Sequence, residues 1–313
     1  MLKIKKIYIL IFFIIFILSS CGRDSSAKYD KKVLLIGIDG FTNRLMEESN
    51  MTNLPKLMSE GTFNRHAQLT KESPTISASG WATILKGVTP SKHMIMGNSE
   101  EEFAHANRQY KTIITDIENR DASIETFVAY DWGKLDHFFI KNNIDILHDY
   151  DATYEKDFSE EVDRYIEYEK IIIDKTVQHL KTDESDVTFI YFGGLDEIGH
   201  LNGRGREYIE YMGILDGYIG RLLSTVKKRD SYINEHWLVL FATDHGQKED
   251  GTHGEFSEDE MTTLYLVWDN RGAVAKNREI KNGSNVDYFT TIWYHLFDET
   301  RTDLDGGIVG YGF

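Results

Sequence analysis

Three apolar runs in this 313-residue chain each end on an aspartate. They are Val33 to Asp39, Val187 to Asp196 and Trp237 to Asp244. Short runs this rich in β-branched and aromatic residues read as fully buried strands of a parallel sheet. In open α/β sheets, ligands bind beyond the carboxyl ends of the strands. The three carboxylates are therefore expected at one edge of one sheet. Like charges gathered in a cleft oppose one another's ionisation unless a cation neutralises them. A metal ion is the simplest such cation, and histidines close to two of the aspartates can supply nitrogen ligands.

Strand and helix signals alternate along the rest of the chain, which argues for an α/β fold with a largely parallel sheet. Helices are expected at Asn53–Glu60 (stopped by Gly61), Ser79–Lys86 (closed by Gly87), Glu161–Leu180, Tyr208–Val226 and Asp287–Phe297. The two longest candidates carry apolar residues at helical spacing, for example Ile209, Met212, Leu215, Ile219, Leu222 and Val226. Further strands are expected at Phe63–Leu69, Ser123–Ala129 and Thr262–Val267. Residues 98–160 are less regular and rich in acids and aromatics, so they are a candidate cap or insertion, or ordinary connecting structure. Trp132, Phe138, Phe139, Tyr150 and Tyr154 could wall a substrate pocket there, although such clusters are more often core.

The first 20 residues have the form of an export signal: Lys3, Lys5 and Lys6, an apolar core from Ile7 to Ile17, then Leu18-Ser19-Ser20-Cys21. The ending resembles a bacterial lipobox, in which the cysteine becomes the lipidated first residue. The expectation is an exported protein, lipid-anchored in the bacterial cell envelope through Cys21, with 22–32 as a polar tether and 33–313 as the catalytic domain. Cys21 is the only cysteine, so no internal disulfide can form. Without the signal, which carries three lysines and no acid, the net charge falls from −16 to −19. Such a surface disfavours general nucleic-acid binding. A small phosphoester remains a suitable substrate, because a metal centre supplies local positive charge.

The chemistry-bearing segments are Ile38-Asp39-Gly40, Gly194-Leu195-Asp196-Glu197-Ile198-Gly199-His200, Thr243-Asp244-His245-Gly246 and Gly251-Thr252-His253-Gly254. Together they offer three aspartates and three histidines and no thiolate. Mixed N/O ligation suits zinc first, with manganese or iron as substitutes. Six ligands are too many for one catalytic zinc and suit two divalent ions. A fifth segment, Ser73 to Leu85, places Thr75, Ser77 and Ser79 just before or at the start of a helix. A helix N-terminus attracts anions, and a hydroxyl there could be a metal-activated nucleophile. The pattern does not choose among the three, and Ser79 could equally be a helix cap. No P-loop or Gly-x-Gly-x-x-Gly run is present.

In this order, from about Lys32 to the end of the last helix, the segments resemble the alkaline phosphatase superfamily, and within it the type I phosphodiesterase/nucleotide pyrophosphatase family. The resemblance implies an alkaline-phosphatase-like fold: a central, largely parallel sheet with helices on both faces. Pro74 to Val88, with Pro90 and His93 after it, resembles that family's nucleophile segment and implies Ser77 as nucleophile. It further implies Asp39, Ser77, Asp244 and His245 on one zinc, and Asp196, His200 and His253 on the other. Two differences bear on substrate. Gly80 stands where an asparagine is expected to contact a phosphate oxygen. The insertion that several members carry between the Asp-His pair and the last histidine is absent, so their nucleotide-recognition features do not carry over.

The resemblance implies phosphoryl transfer through a phosphoserine. Ala78 follows Ser77 where alkaline phosphatases have an arginine that holds a phosphate dianion, which favours a diester. The alternatives are a phosphomonoesterase or phosphonate hydrolase of the same superfamily, or a catalytically silent metal- or ligand-binding lipoprotein. A sulfatase lacks support, since no Cys-x-Pro-x-Arg-like motif occurs. The remaining histidines, including His66, His93 and His295, are expected to be surface or core residues.

Overall fold

The computed structural model describes residues 29–139, 145–147, 158–182 and 185–312. In chain order the strands are β1 (Asp30–Ile38), β2 (Thr62–Gln68), β3 (Thr126–Ala129), β4 (Asp145–Leu147), β5 (Val187–Phe192), β6 (Glu235–Ala242), β7 (Thr262–Asp269) and β8 (Arg278–Glu279). The helices are α1 (Asn53–Glu60), α2 (Ser77–Lys86), α3 (Pro90–His93), α4 (Glu100–His105), α5 (Ile113–Arg120), α6 (Phe158–Lys181), α7 (Gly194–Asn202), α8 (Arg206–Lys227), α9 (Glu258–Met261) and α10 (Asp287–Phe297).

Among the described residues the strands form one eight-stranded sheet in the order β4-β3-β5-β1-β6-β7-β2-β8. Only β7 runs against the others. Side chains alternate between faces along a strand, and the core is accordingly double. Leu34, Ile36 and Ile38 of β1 pack with α1, α6, α7 and α8, while Val33 and Leu35 pack with α2, α5 and α10. The expected α/β architecture, with helices on both faces of a mostly parallel sheet, is what the chain adopts.

Several boundaries differ from the sequence reading for identifiable reasons. β1 begins at Asp30, so Lys31 and Lys32 belong to the sheet rather than to a tether. They pair with His236 and Trp237, and the Lys32 ammonium reaches the Asp186 carboxylate at 2.8 Å. The expected strand at Ser123 starts only at Thr126, because Ser123 is held in a turn by the Asp121 carboxylate. α2 begins at Ser77, two residues before Ser79, with the first helical bond running from the Gly80 N–H to the Ile76 carbonyl at 3.0 Å. Within 98–160, β3 and β4 extend the sheet beside β5 and α5 packs on one face, so these parts are built into the main domain. Phe138 and Phe139 are core; Tyr150 and Tyr154 lie outside the described residues, as does Cys21.

The start of β6 is fixed by a buried ion pair. Arg229 donates to both oxygens of Glu235 at 2.8–3.1 Å, and each side chain is 2% exposed. Removing one partner strands the other charge in the interior. Arg229→Ala is expected to cost about 3–5 kcal/mol, read as a fall in the urea midpoint. An unchanged midpoint would show that β6 is not held there.

Candidate active site

Strand register brings the three aspartates to one edge. Ile38 of β1 lies beside Phe192 of β5, and Gly37 lies beside Ala242 of β6. Asp39, Asp196 and Asp244 thus follow the carboxyl ends of three adjacent strands. Gly37 is required for this arrangement, because a Cβ there would sit 2.5 Å from the Trp81 indole. That indole in turn donates to Asp39.

Each aspartate has one oxygen tied to the fold. Asp39 Oδ2 accepts the Trp81 Nε1–H at 2.9 Å and the Tyr191 hydroxyl at 2.6 Å. Asp244 Oδ1 accepts the Gly40 N–H at 3.3 Å. Asp196 Oδ1 accepts the Gln247 Nε2–H at 2.5 Å. The opposite oxygens of Asp39 and Asp244 are buried with no hydrogen-bond partner. Asp196 Oδ2 faces only imidazoles, His200 Nε2 at 3.0 Å and His253 Nε2 at 3.5 Å.

The histidines are prepared in the same way. Nδ1 of His245 lies 3.1 Å from the Gly246 carbonyl and Nδ1 of His253 lies 2.6 Å from the Thr75 carbonyl. Donation from both Nδ1 atoms leaves each Nε2 lone pair for the cleft. His245 Nε2 is 3.1 Å from Asp244 Oδ2 and 3.6 Å from Asp39 Oδ1. His200 and His253 bring their Nε2 atoms to 3.0 Å of each other. Two compact donor groups result: Asp39, Asp244 and His245, and Asp196, His245 and His253, with His200 adjoining the second. His245 thus stands between the two groups rather than within one of them. Orphaned buried carboxylate oxygens beside imidazole nitrogens suit divalent cations.

The electrostatics agree with a site built for cations. Burial, with the Asp196 carboxylate nearby, raises Asp39 to about 6. Burial and the Asp39 and Asp196 charges push Asp244 well above the usual carboxylate range. Burial alone would raise Asp196, but His253 and His200 carry it well below. Burial opposes protonation of His253, yet the Asp196 carboxylate raises it to about 9. Burial and His253 hold His245 well below the ordinary imidazole value.

The structure also separates the three hydroxyls. The Thr75 hydroxyl donates to the Glu255 carbonyl at 2.9 Å and accepts the Gly254 N–H at 2.8 Å. Ser79 is fully buried inside the first turn of α2. Ser77 lines the cleft, with Oγ 3.5 Å from His245 Nε2. Gly80 is explained by packing: a Cβ would stand 2.6 Å from the Asp244 Cβ, so no asparagine fits there. A carboxamide reaches the cleft from another place. Asn98 lines it, and Asn98 Oδ1 accepts the Ala78 N–H at 2.9 Å, which leaves its NH₂ group as a donor. His93 is core, as expected, and it positions this loop. Its Nδ1 accepts the Ile95 N–H at 3.1 Å, and its Nε2 lies 3.1 Å from the Thr83 hydroxyl.

Two buried acids, absent from the sequence reading, fix the start of α7. Asp131 accepts the Gly193 N–H at 3.0 Å and Glu169 accepts the Gly194 N–H at 2.8 Å. Burial and mutual repulsion raise Asp131 well above its ordinary value, and burial raises Glu169 to about 7. Carboxyls at a helix N-terminus satisfy its free N–H groups. Here they aim α7 so that Asp196 and His200, one turn apart, face the cleft. The cleft is a cavity of about 300 Å³. A larger groove of about 770 Å³, near Lys181, Arg221 and Lys228, contains none of these residues and is not the site.

A family model described as type I phosphodiesterase/nucleotide pyrophosphatase matches residues 33–282. The chain belongs to this family. Among curated relatives of this phosphodiesterase-family chain, GPI ethanolamine phosphate transferase 2 of Schizosaccharomyces pombe is 30% identical over 105 residues, 33% of this chain and 14% of that protein. GPI ethanolamine phosphate transferase 1 of Emericella nidulans is 26% identical over 123 residues, 39% of this chain and 13% of that protein. The chain thus matches only about one seventh of these relatives' length. Murine ectonucleotide pyrophosphatase/phosphodiesterase 5 shares the fold, with a TM-score of 0.62 at 14% identity over 88% of this chain and 98% of that one. The phosphonate monoester hydrolase of Agrobacterium radiobacter superposes with a TM-score of 0.61 at 14% identity, covering 89% and 76%. These folds belong to the alkaline phosphatase superfamily, whose members include phosphoester hydrolases.

Metal uptake by the metal-free protein is expected to release protons, because His253 must lose the proton it holds up to about pH 9. Lowering the pH from 9 towards 7 then weakens zinc binding by roughly tenfold per unit for each proton displaced. Calorimetry in two buffers of different ionisation enthalpy measures this. Binding that is independent of pH would show that His253 is not a ligand.

Proposed function

We propose that this family member is a metal-dependent phosphodiesterase acting through a phosphoserine on Ser77. The observation that carries the reading is the position of Ser77. Its Oγ lies at the N-terminus of α2, beside the histidine common to both donor groups. Asp39, Asp244 and His245 would hold one divalent cation and Asp196, His200 and His253 a second, with Ser77 completing the first set. Zinc is the first candidate for this N/O set, and manganese or iron could replace it. Such ions supply positive charge that favours the serine alkoxide, the leaving oxygen and hydroxide.

The protein's own groups do the rest. The α2 N-terminus and the Asn98 NH₂ group face the non-bridging phosphate oxygens and orient the phosphorus towards Ser77 Oγ. An Oγ–P bond forms as the P–O bond to the leaving alcohol breaks. Water on the opposite face then cleaves the Oγ–P bond and returns the serine hydroxyl. Ala78 offers no charge to a dianion, and among the described residues lining the cavity there is no lysine or arginine. This supports a diester over a monoester. The name of the curated relatives, ethanolamine phosphate transferase, supports including ethanolamine phosphate esters among the substrates to try.

The soluble protein from Gly22 onward, loaded with zinc, is expected to cleave bis-p-nitrophenyl phosphate faster than p-nitrophenyl phosphate. Ser77→Ala is expected to lower the diester rate by at least about 10³-fold. Faster monoester cleavage would move the reading to a phosphatase. Diester cleavage that survives Ser77→Ala would remove the phosphoserine.

Export and lipidation at Cys21 are part of the same proposal. They are supported by the signal-like segment Met1 to Ser20 and by its lipobox-like end. In a bacterial host, labelled palmitate is expected to enter the full-length chain and to be lost in Cys21→Ala, with release of the protein from the membrane fraction. Unlabelled wild-type protein would contradict the anchor.

A further inference from the structure

β1 joins two ends of the molecule that differ in surface and in task. The strand enters the sheet at Asp30 and delivers Asp39 to the cleft at its other end. Ten residues of extended chain separate Tyr29 from Asp39, a distance of about 33 Å. Eight residues separate Cys21 from Tyr29, and even fully extended they span at most about 26–29 Å. A tether of that length is shorter than the strand it precedes. It cannot run back along the domain and bring the cleft to the surface that holds a lipid on Cys21. Asp39 is itself buried within the cleft, so the mouth lies farther still.

The edge where β1 begins has its own character. Asp30 pairs with Glu235 at the start of β6, directly after the turn that carries Ile233. Ile233 is 69% exposed, the highest value among the exposed large apolar side chains. Arg271 ties this turn to the first described residue: its guanidinium lies 4.1 Å from the Tyr29 ring centroid and donates to the Tyr232 and Ile233 carbonyls. Lys228 at the end of α8 and Lys181 at the end of α6 stand beside the same edge and line the larger groove of about 770 Å³. Both are exposed, and neither makes an ion pair among the described residues.

We propose that this edge of the sheet rests on the bilayer and that the cleft faces the opposite way, into the aqueous space. The inference rests on the Cys21 anchor proposed above and adds where the substrate comes from: a phosphodiester reaches the cleft from water, and one embedded in the anchoring bilayer is out of reach. An exposed aliphatic side chain and a tyrosine suit the head-group boundary, and lysines there meet lipid phosphates. Asp30 and Asp230 are exposed at the same edge, so the attachment depends on the anchor and the apolar contact rather than on net charge.

The test places one fluorophore at either end of the lipidated full-length protein in phospholipid vesicles. Cys21 is the only cysteine and its sulfur carries the lipid, so Ile233→Cys and Phe256→Cys each add a single free thiol. Phe256 is 61% exposed and lies three residues after His253, on the cleft side. Lipid spin-labelled at the head group quenches on contact. The Ile233→Cys probe is expected to be quenched and the Phe256→Cys probe to keep its full emission. Quenching of Phe256→Cys, or of both probes alike, overturns the orientation. Quenching of neither, with the protein on the vesicles, shows that something other than lipid covers this edge and overturns the docking surface. Protein that stays in solution removes the anchor and this inference with it. The readout needs no turnover, so failure of the phosphodiesterase reading leaves the quenching pattern unchanged.

Discussion

Each of three buried aspartates gives one oxygen to a donor of the fold and keeps the other for the cleft. Trp81 and Tyr191 hold Asp39, the Gly40 N–H holds Asp244, and Gln247 holds Asp196. Free rotation of these carboxylates would let each oxygen find its own partner. The tethers prevent it, and the result is a cluster of like charges that burial makes worse. A cation held between these carboxylates and the neighbouring imidazoles would turn the repulsion into ligation. The rest of the architecture serves that clamp: the β5-β1-β6 register, Gly37 beneath Trp81, and Gly80 against Asp244.

The segments richest in signal were legible from sequence. The three apolar runs predict buried parallel strands, and their terminal aspartates do meet at one edge. His200 and His253 also arrive there, although one lies on a helix and the other in a loop. What the sequence hid has a common physical character. Asn98 sits in a turn between short helices, where no periodicity marks it. Asp131 and Glu169 look like surface acids until their N–H partners on Gly193 and Gly194 are seen. Gln247 is inconspicuous, yet Gly199 is glycine because the Gln247 carboxamide would lie 2.0 Å from any Cβ there. Spacing alone did not choose among Thr75, Ser77 and Ser79, since all three are hydroxyls near one helix start; the family resemblance implied Ser77, and it is Ser77 that lines the cleft.

The asparagine expected three residues after Ser77 is excluded by packing. α2 packs so closely on the end of β6 that only glycine fits at position 80. The Asn98 carboxamide lines the cleft from the loop that His93 ties to Thr83 and Ile95.

The measurement that tests the account most directly is anomalous scattering at the zinc edge from crystals grown with zinc. The account requires two peaks: one within ligand distance of Asp39 Oδ1, Asp244 Oδ2 and His245 Nε2, and one beside Asp196 Oδ2, His200 Nε2 and His253 Nε2. A single peak on His245, or none at this edge of the sheet, would contradict it.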